Sequence, residues 1–380
     1  MKLFGYLLVA CAGLGLFACS TEDEVPSVTD GSKSVTLKIN GVASAFDTKA
    51  VDAPSVSTTM RLKDVKIVFF NQGSGTIYRS ETLTDASSDW AALTTGTGVT
   101  YHSLNPLIDA VLIVGNNVGK TITWTNANTI KASQLDAAGE NTEVETGDTK
   151  EYVTLFGEDL SLATVAEPNA DPHYTLYNAE IELKPLVARF EIGNIQCDNL
   201  NSALYSSFEL EGIGLIDFNR FVTLGTGVAV APKLLINTDI LEPGSTPVAG
   251  KYVFGAAPEI AWAYNSIASI LMDGPGDIYN PGTTNSERYA YNFFPNGFPN
   301  IKLVLDNVLA LDPNVVVTYK YVATATFTGH AAPIAGHIYQ INLTFKEINI
   351  GPWDPTSTIC VNVDVTVLPW TIETLTPVFH

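Results

Sequence analysis

An all-β fold, with two units in tandem and few short helices, is what this sequence predicts, and three observations carry it. Apolar and polar residues alternate with period two along most of the chain, while sustained helical periodicity is scarce. Thr and Val are abundant, and β-branched side chains suit pleated surfaces better than helices. Asn, Gly and Pro separate the apolar runs at the spacing that turns between short strands require. A length of 380 residues fits two ordinary domains.

Taken in order, the first run is Val35, Leu37 and Ile39, alternating with Thr36, Lys38 and Asn40, a strand with one buried face. Val65 to Phe70 is the second, and Ala110 to Val114 the third, stopped by Gly115-Asn116-Asn117. Tyr152 to Phe156, Tyr174 to Leu183, Leu186 to Ile195 and Phe208 to Ile216 continue the pattern. Ile301 to Leu305, Val315 to Phe327, Ile338 to Phe345 and Val361 to Leu368 complete it. Short helices are expected near Ala127 to Leu135 and around Ser202 to Ser207. The polar, turn-rich stretch from Ala166 to Pro172 marks a domain break, giving expected domains over 35–180 and 181–380. No repeat of about 20 to 50 residues is present, which disfavours propellers and solenoids.

Composition narrows the function classes. Apolar residues make up 46% of the chain, enough for sizeable cores, and charged residues only 16%. Twenty basic against forty acidic residues give a net charge of −20, which repels phosphate backbones and anionic lipid headgroups. Nucleic acid is therefore not an expected partner. Gly-x-Ser-x-Gly is missing, and neither Gly96-x-Gly98 nor Gly225-x-Gly227 has the Lys-Ser/Thr of a phosphate loop. The five His residues stand at 102, 173, 330, 337 and 380, without His-x-x-x-His spacing. Asp273-Gly274-Pro275-Gly276-Asp277 lacks the acidic ladder of a calcium loop and reads as a turn. The expectation is a non-enzyme with no cofactor, no metal site and no catalytic residue.

The N-terminus reads as an export signal. Lys2 precedes an apolar run from Leu3 to Phe17, too short to span a bilayer and of signal length. It closes on Leu16-Phe17-Ala18-Cys19, which resembles the lipobox of bacterial lipoproteins, although Phe17 is bulkier than usual. Residues 1–18 are then a signal peptide, Cys19 the lipidated residue, and 19–34 a tether. The acidic Ser20-Thr21-Glu22-Asp23-Glu24 resembles the surface-export tag of Bacteroidota lipoproteins. With Cys11 lost and Cys19 acylated, Cys197 and Cys360 remain, 163 positions apart. Two readings stay open for them: a disulfide in an oxidising envelope, or two separately buried thiols.

The loop from Gly41 to Lys63 carries Lys49-Ala50 and Arg61-Leu62 among small and polar residues, a cut site for a trypsin-like protease. Cutting there would detach the first strand covalently. At the other end Val361, Val363, Val365 and Val367 alternate with polar residues, Pro369-Trp370 breaks the run, and Thr371 to Phe379 is a further extended segment.

Together these features resemble the fimbrillins of the Bacteroidota, the pilins of type V pili. Besides the lipobox, the resemblance rests on Val65-Lys66-Ile67-Val68-Phe69-Phe70-Asn71 and on Ala110-Val111-Leu112-Ile113-Val114-Gly115-Asn116-Asn117. Leu186 to Ile192, Gly336 to Thr344, and Val363 to Trp370 with ten residues after it follow in the family's order. The resemblance implies two β-sandwich (transthyretin-like) domains and an outer-membrane lipoprotein precursor that matures into extracellular fimbriae. It implies removal of the first strand (Val35, Leu37, Ile39) by an Arg- or Lys-directed protease, best placed at Lys49-Ala50 with Arg61 as the alternative. It also implies a C-terminal donor segment, Val363, Val365, Val367, Trp370, Ile372, Leu375, Val378 and Phe379, that completes another copy or a related pilin. The competing reading is a surface glycan-binding lipoprotein, which requires coplanar exposed aromatics drawn from Trp90, Trp124, Trp262 or Trp353.

Overall fold

The computed structural model describes residues 32–40, 62–142, 152–166, 174–230, 263–281, 288–317, 320–327, 330–352 and 360–369. The first core is built by β1 (Ser32–Asn40), β2 (Asp64–Phe70), β3 (Ile77–Thr84), α1 (Trp90–Thr94), β4 (Val99–Leu104) and β5 (Ala110–Gly115). After these come α2 (Ala127–Ala132), β6 (Gln134–Asp136), α3 (Ala137–Glu140), β7 (Leu155–Asp159), β8 (Ala163–Thr164), β9 (Tyr174–Glu182) and β10 (Lys184–Pro185). They form two facing sheets in the orders β4-β1-β9-β8 and β10-β7-β5-β2-β3. Val35, Leu37 and Ile39 from one sheet and Ile67, Phe69 and Val111 from the other share a single hydrophobic cluster between them. That is a β-sandwich.

Local chemistry explains the boundaries. Every residue of β5, from Ala110 to Gly115, is buried, because the strand lies inside its sheet between β2 and β7. It stops at Gly115, where a Cβ would stand 2.6 Å from Leu62 Cδ1, and at Asn116, which is left-handed at φ 53°. The Asn116 side chain then accepts from Lys63 N–H at 2.9 Å and donates to Val153 C=O at 2.9 Å, so the turn's polar groups are paired. Asn126 caps α2 by accepting from the Asn128 N–H, and Thr129 returns the bond in a capping box. The helix ends at Ala132, and Ser133 to Asp136 are extended.

The second core is built by β11 (Ala188–Cys197), β12 (Tyr205–Ile216), β13 (Phe221–Thr223), β14 (Tyr264–Met272), β15 (Ile278–Tyr279) and β16 (Tyr289–Phe293). Then follow β17 (Asn300–Ala310), β18 (Tyr321–Ala325), β19 (His337–Phe345), β20 (Gly351–Pro352) and β21 (Cys360–Pro369). One face of the sandwich is β14-β12-β17-β18 and the other β21-β19-β11-β15, with β16 beside β11. β21 joins the two, antiparallel to β19 over eight residue pairs and parallel to β18 at Thr324 and Ala325 only. Phe190, Phe208, Phe293 and Phe345 fill the space between. The fold class is therefore all-β, two β-sandwiches in tandem.

The first core extends through Ile181, Leu183 and Val187, and the second begins at Ala188. The chain also returns: Val222, Leu224 and Phe294 pack in the first core, and β13 pairs with β6. At this junction the Asn141 amide donates to Asn292 C=O and accepts from Asn292 N–H, both at 2.8 Å. Arg220 grips both oxygens of Asp136, with Nη2 to Oδ2 at 2.9 Å. Asn141 thus does for the free edge of β16 what a neighbouring strand would do.

Three expected elements differ. Ser202 to Ser207 is not a helix: the Glu347 carboxylate accepts the N–H groups of Ser202, Ala203, Leu204 and Tyr205, and β12 starts at Tyr205. Those N–H groups point at one carboxylate rather than along a helix axis. Val315 to Phe327 is not one long strand either. Val315 and Val316 are 50% and 79% exposed, and among the described residues of this stretch only β18 is laddered. The strand expected at Tyr152 to Phe156 is displaced to Leu155–Asp159. Strands β3, β4, β14 and β16 were not expected, and neither were helices α1 and α3.

Candidate functional site

The two features singled out by the sequence are the first strand and the last, and the structure describes one fully and the other in part. β1 occupies an inner position. On one side it runs parallel to β9 in continuous register, from Ser32 opposite Tyr174 to Asn40 opposite Glu182. On the other it is antiparallel to β4, with a register shift between Lys33 and Val35. Val35, Leu37 and Ile39 are 0%, 0% and 1% exposed, all on the core face, while Thr36 and Lys38 are half-buried on the other.

Side-chain bonds add to the ladders near the start of the strand. Lys33 Nζ donates to Ile108 C=O and lies 4.8 Å from the centre of the Tyr177 ring. Ser34 Oγ is 3.1 Å from His102 Nδ1, opposite the irregularity in β4 where Ser103 is left-handed at φ 54°. Thr36 and Thr100 hydroxyls meet at 2.9 Å. Removing this strand would leave two unpaired strand edges flanking a slot in the core, a costly surface in water. Refilling the positions of three such side chains is worth roughly 5–9 kcal/mol gross at ~1.5–3 kcal/mol each.

β21 lies within its own chain's second sandwich, Val363 opposite Leu343, Val365 opposite Ile341 and Val367 opposite Tyr339. Its pairing with β18 ends at Val361, so beyond that residue β21 is laddered on one side among the described residues. Trp370, Ile372, Leu375, Val378 and Phe379 fall outside the described residues, as do Cys19, Lys49, Ala50 and Arg61.

Other sequence features find structural partners. Cys197 is a free thiol, buried, and desolvation pushes it up to about 12, with Glu347 and Asp198 adding to the rise and N–H groups of Asn199 and Leu200 opposing it. The register puts Cys197 opposite Phe345 on β19, and β21 lies one strand further on. Two ladder steps of about 4.8 Å exceed the ~7 Å that a disulfide spans between Cα atoms. Asp277 Oδ2 accepts from the N–H groups of Asp273 at 3.0 Å and Gly274 at 2.8 Å, closing its own turn. No three His, Cys, Asp or Glu side chains gather as metal ligands among the described residues. Trp90 and Trp124 both pack against the first core, and Lys66 Nζ stands 4.5 Å from the Trp124 ring. Both are partly buried, and Trp262 and Trp353 lie outside the described residues.

The site residues missed by sequence reasoning are the anchors of β1, Ile108, His102 and Tyr177, and the junction amide of Asn141. None carries a local signal, since each is defined by a partner 68 to 151 positions away or across an aromatic face.

No protein-family model and no curated protein matches this sequence. Solved structures do resemble it. A proposed cell adhesion protein from Bacteroides eggerthii aligns with TM-score 0.50 at 12% identity, covering 89% of this chain and 96% of its own. A second such protein, from Parabacteroides distasonis, gives TM-score 0.47 at 11% identity, covering 93% of this chain and 99% of its own. A fimbrilin from Porphyromonas gingivalis gives TM-score 0.47 at 11% identity over 92% of this chain and 100% of its own. At 12% identity the first of these likenesses speaks to the tandem β-sandwich fold alone.

Proposed function

We propose that this protein is a structural subunit of a cell-surface pilus of type V, assembled by strand exchange. The observation that carries the reading is the placement of β1: an inner strand with Val35, Leu37 and Ile39 sealed in the core. Its last residue leads directly into the 41–61 segment that holds both candidate cut sites. A cut after Lys49, or alternatively Arg61, turns a covalent strand into a dissociable one. An extended apolar segment of a neighbouring subunit then restores both ladders, a case of strand addition. Because donor and acceptor surfaces differ, the contact is heterologous and grows a filament rather than closing a dimer.

In this reading the chain is exported as a lipoprotein on Cys19, held at the outer membrane until a trypsin-like protease releases it. Residues Trp370 to His380, preceded by Val363, Val365 and Val367, supply the donor strand. The subunit supports adhesion as scaffold and performs no chemistry. Purified precursor treated with trypsin should yield filaments in electron micrographs, with assembled subunits beginning at Ala50. Filaments built from subunits that still begin at Cys19, or no filaments after complete cleavage, would overturn it.

A further inference from the structure

β1 is not held evenly. Its first half, Lys33 to Leu37, is laddered on both sides, by β4 and by β9. The same half carries the side-chain anchors: Lys33 on Ile108 C=O and the Tyr177 ring, and Ser34 on His102. Pairing with β4 ends at Leu37 opposite Val99, because the chain before β4 turns away through Gly98, which is left-handed at φ 87°. A Cβ on that glycine would stand 2.8 Å from Lys38 Cγ and 3.1 Å from Leu37 O, so the turn is pressed against the strand without pairing to it. From Lys38 to Asn40 only β9 is paired with β1 among the described residues. There, among the described residues, Lys38 and Ile39 have no polar side-chain anchor, and the one large apolar contact is Ile39, 1% exposed.

The two ends also differ in position. Asn40 pairs with Glu182, at the end of β9 that continues into β10 and the junction between the sandwiches, whereas Ser32 pairs with Tyr174 at the far pole. The singly laddered end is therefore the end contiguous with the 41–61 segment.

We infer that β1 opens from its Lys38–Asn40 end, and that this end is where an incoming strand of a second copy enters. The inference rests on the strand-exchange reading above. A strand held by one ladder exchanges its bonds locally at lower cost than one held by two plus charge-assisted anchors. The invading segment first pairs with the edge exposed at Ile39. It then displaces β1 residue by residue towards Val35, so that the core is never emptied at once. The entering chain needs an apolar residue at every second position, to replace Ile39, Leu37 and Val35 in that order.

Hydrogen exchange on the uncut full chain, read by peptic peptides, tests this without any assembly. Amides of 38–40 are expected to exchange at least about ten-fold faster than those of 33–35. Joint substitution Lys33→Met with Ser34→Ala should speed the 33–35 peptide towards the rate of 38–40 and leave 38–40 unchanged. Equal rates in the two halves, the reverse order, or a 33–35 peptide indifferent to the double substitution each overturn the inference. Trypsin treatment of the same samples separates the two readings. Filaments with a reversed exchange gradient sink the directional opening alone, whereas the expected gradient with no filaments sinks strand exchange.

Discussion

Leu37→Ala is the most direct probe of how firmly β1 belongs to the first sandwich. Leu37 is 0% exposed at the centre of the strand, paired to Val99 on one side and Ala179 on the other, and shares a cluster with Ile39 and Val35. Truncating a fully buried leucine costs the lost transfer energy plus the cavity, about 2.7–5 kcal/mol in well-packed sites. The ladders on both sides prevent collapse into the gap, which puts the expected value near the middle, about 3–4 kcal/mol. With a urea dependence of about 1–3 kcal/mol per molar, the midpoint of the first sandwich should fall by roughly 1–4 M. Urea titration of the uncut chain, followed by exchange-protected peptides from β2 and β5 for the first core and from β12 and β17 for the second, resolves the two units. The shift should be confined to the first. Lys38→Ala, on the half-buried opposite face, should move the midpoint by the equivalent of no more than about 0.5 kcal/mol. A loss below about 1 kcal/mol for Leu37→Ala, or an equal loss in the second core, would refute the view that this strand seals the first core.

Three further outcomes follow from particular contacts. Glu347 is nearly fully buried; desolvation alone would raise its carboxyl, but the N–H groups of Ser202, Leu204 and Ala203 outweigh it and hold the group below its ordinary value. A depressed folded value means stabilisation that is complete above the unfolded carboxylate range and lost as pH falls through the folded value. Acid titration of the second core should therefore steepen below about pH 4.3, and Glu347→Gln should flatten it while destabilising at neutral pH; an unchanged acid limb would contradict this. The Cys197 thiol, buried and pushed up to about 12, should resist Ellman's reagent at pH 8 until the second core unfolds, and prompt labelling of the native chain at this residue would disprove its burial. Asn141→Ala leaves the Asn292 N–H and C=O without their amide partner, at about 1–3 kcal/mol. Faster limited proteolysis around residues 183–188 is the expected readout, and an unaltered cleavage rate would count against a coupling role for this amide.

Alternation alone made the strand content legible. Val35, Leu37 and Ile39 against Thr36 and Lys38 is a local pattern, and the structure turns it into one buried face. The same holds for Phe208 to Ile216 and Ile338 to Phe345, where apolar side chains fill the second core. The Gly115-Asn116-Asn117 stop was readable because a left-handed Asn and a crowded Gly are local needs. Edge strands were not readable. β3 carries Arg79 and Glu81, and β14 four successive exposed residues from Ala268 to Leu271, so each lacks the alternation that a half-buried face imposes. The false helix at Ser202 to Ser207 has the same origin: a carboxylate 145 positions from Ser202 decides that backbone, and nothing near it announces Glu347.

The residue pattern by itself determined that this chain is built of strands, where the first of them lies, and which of its faces is apolar, because side-chain alternation is a property of neighbours. Only the tertiary structure decided that β1 is an inner strand, parallel to β9 and only partly covered by β4. It alone placed β21 across the seam of the second sandwich and left Cys197 unpaired. Those outcomes depend on which distant segments meet, and the free energy of that meeting is spread over buried surface that no short stretch of sequence contains.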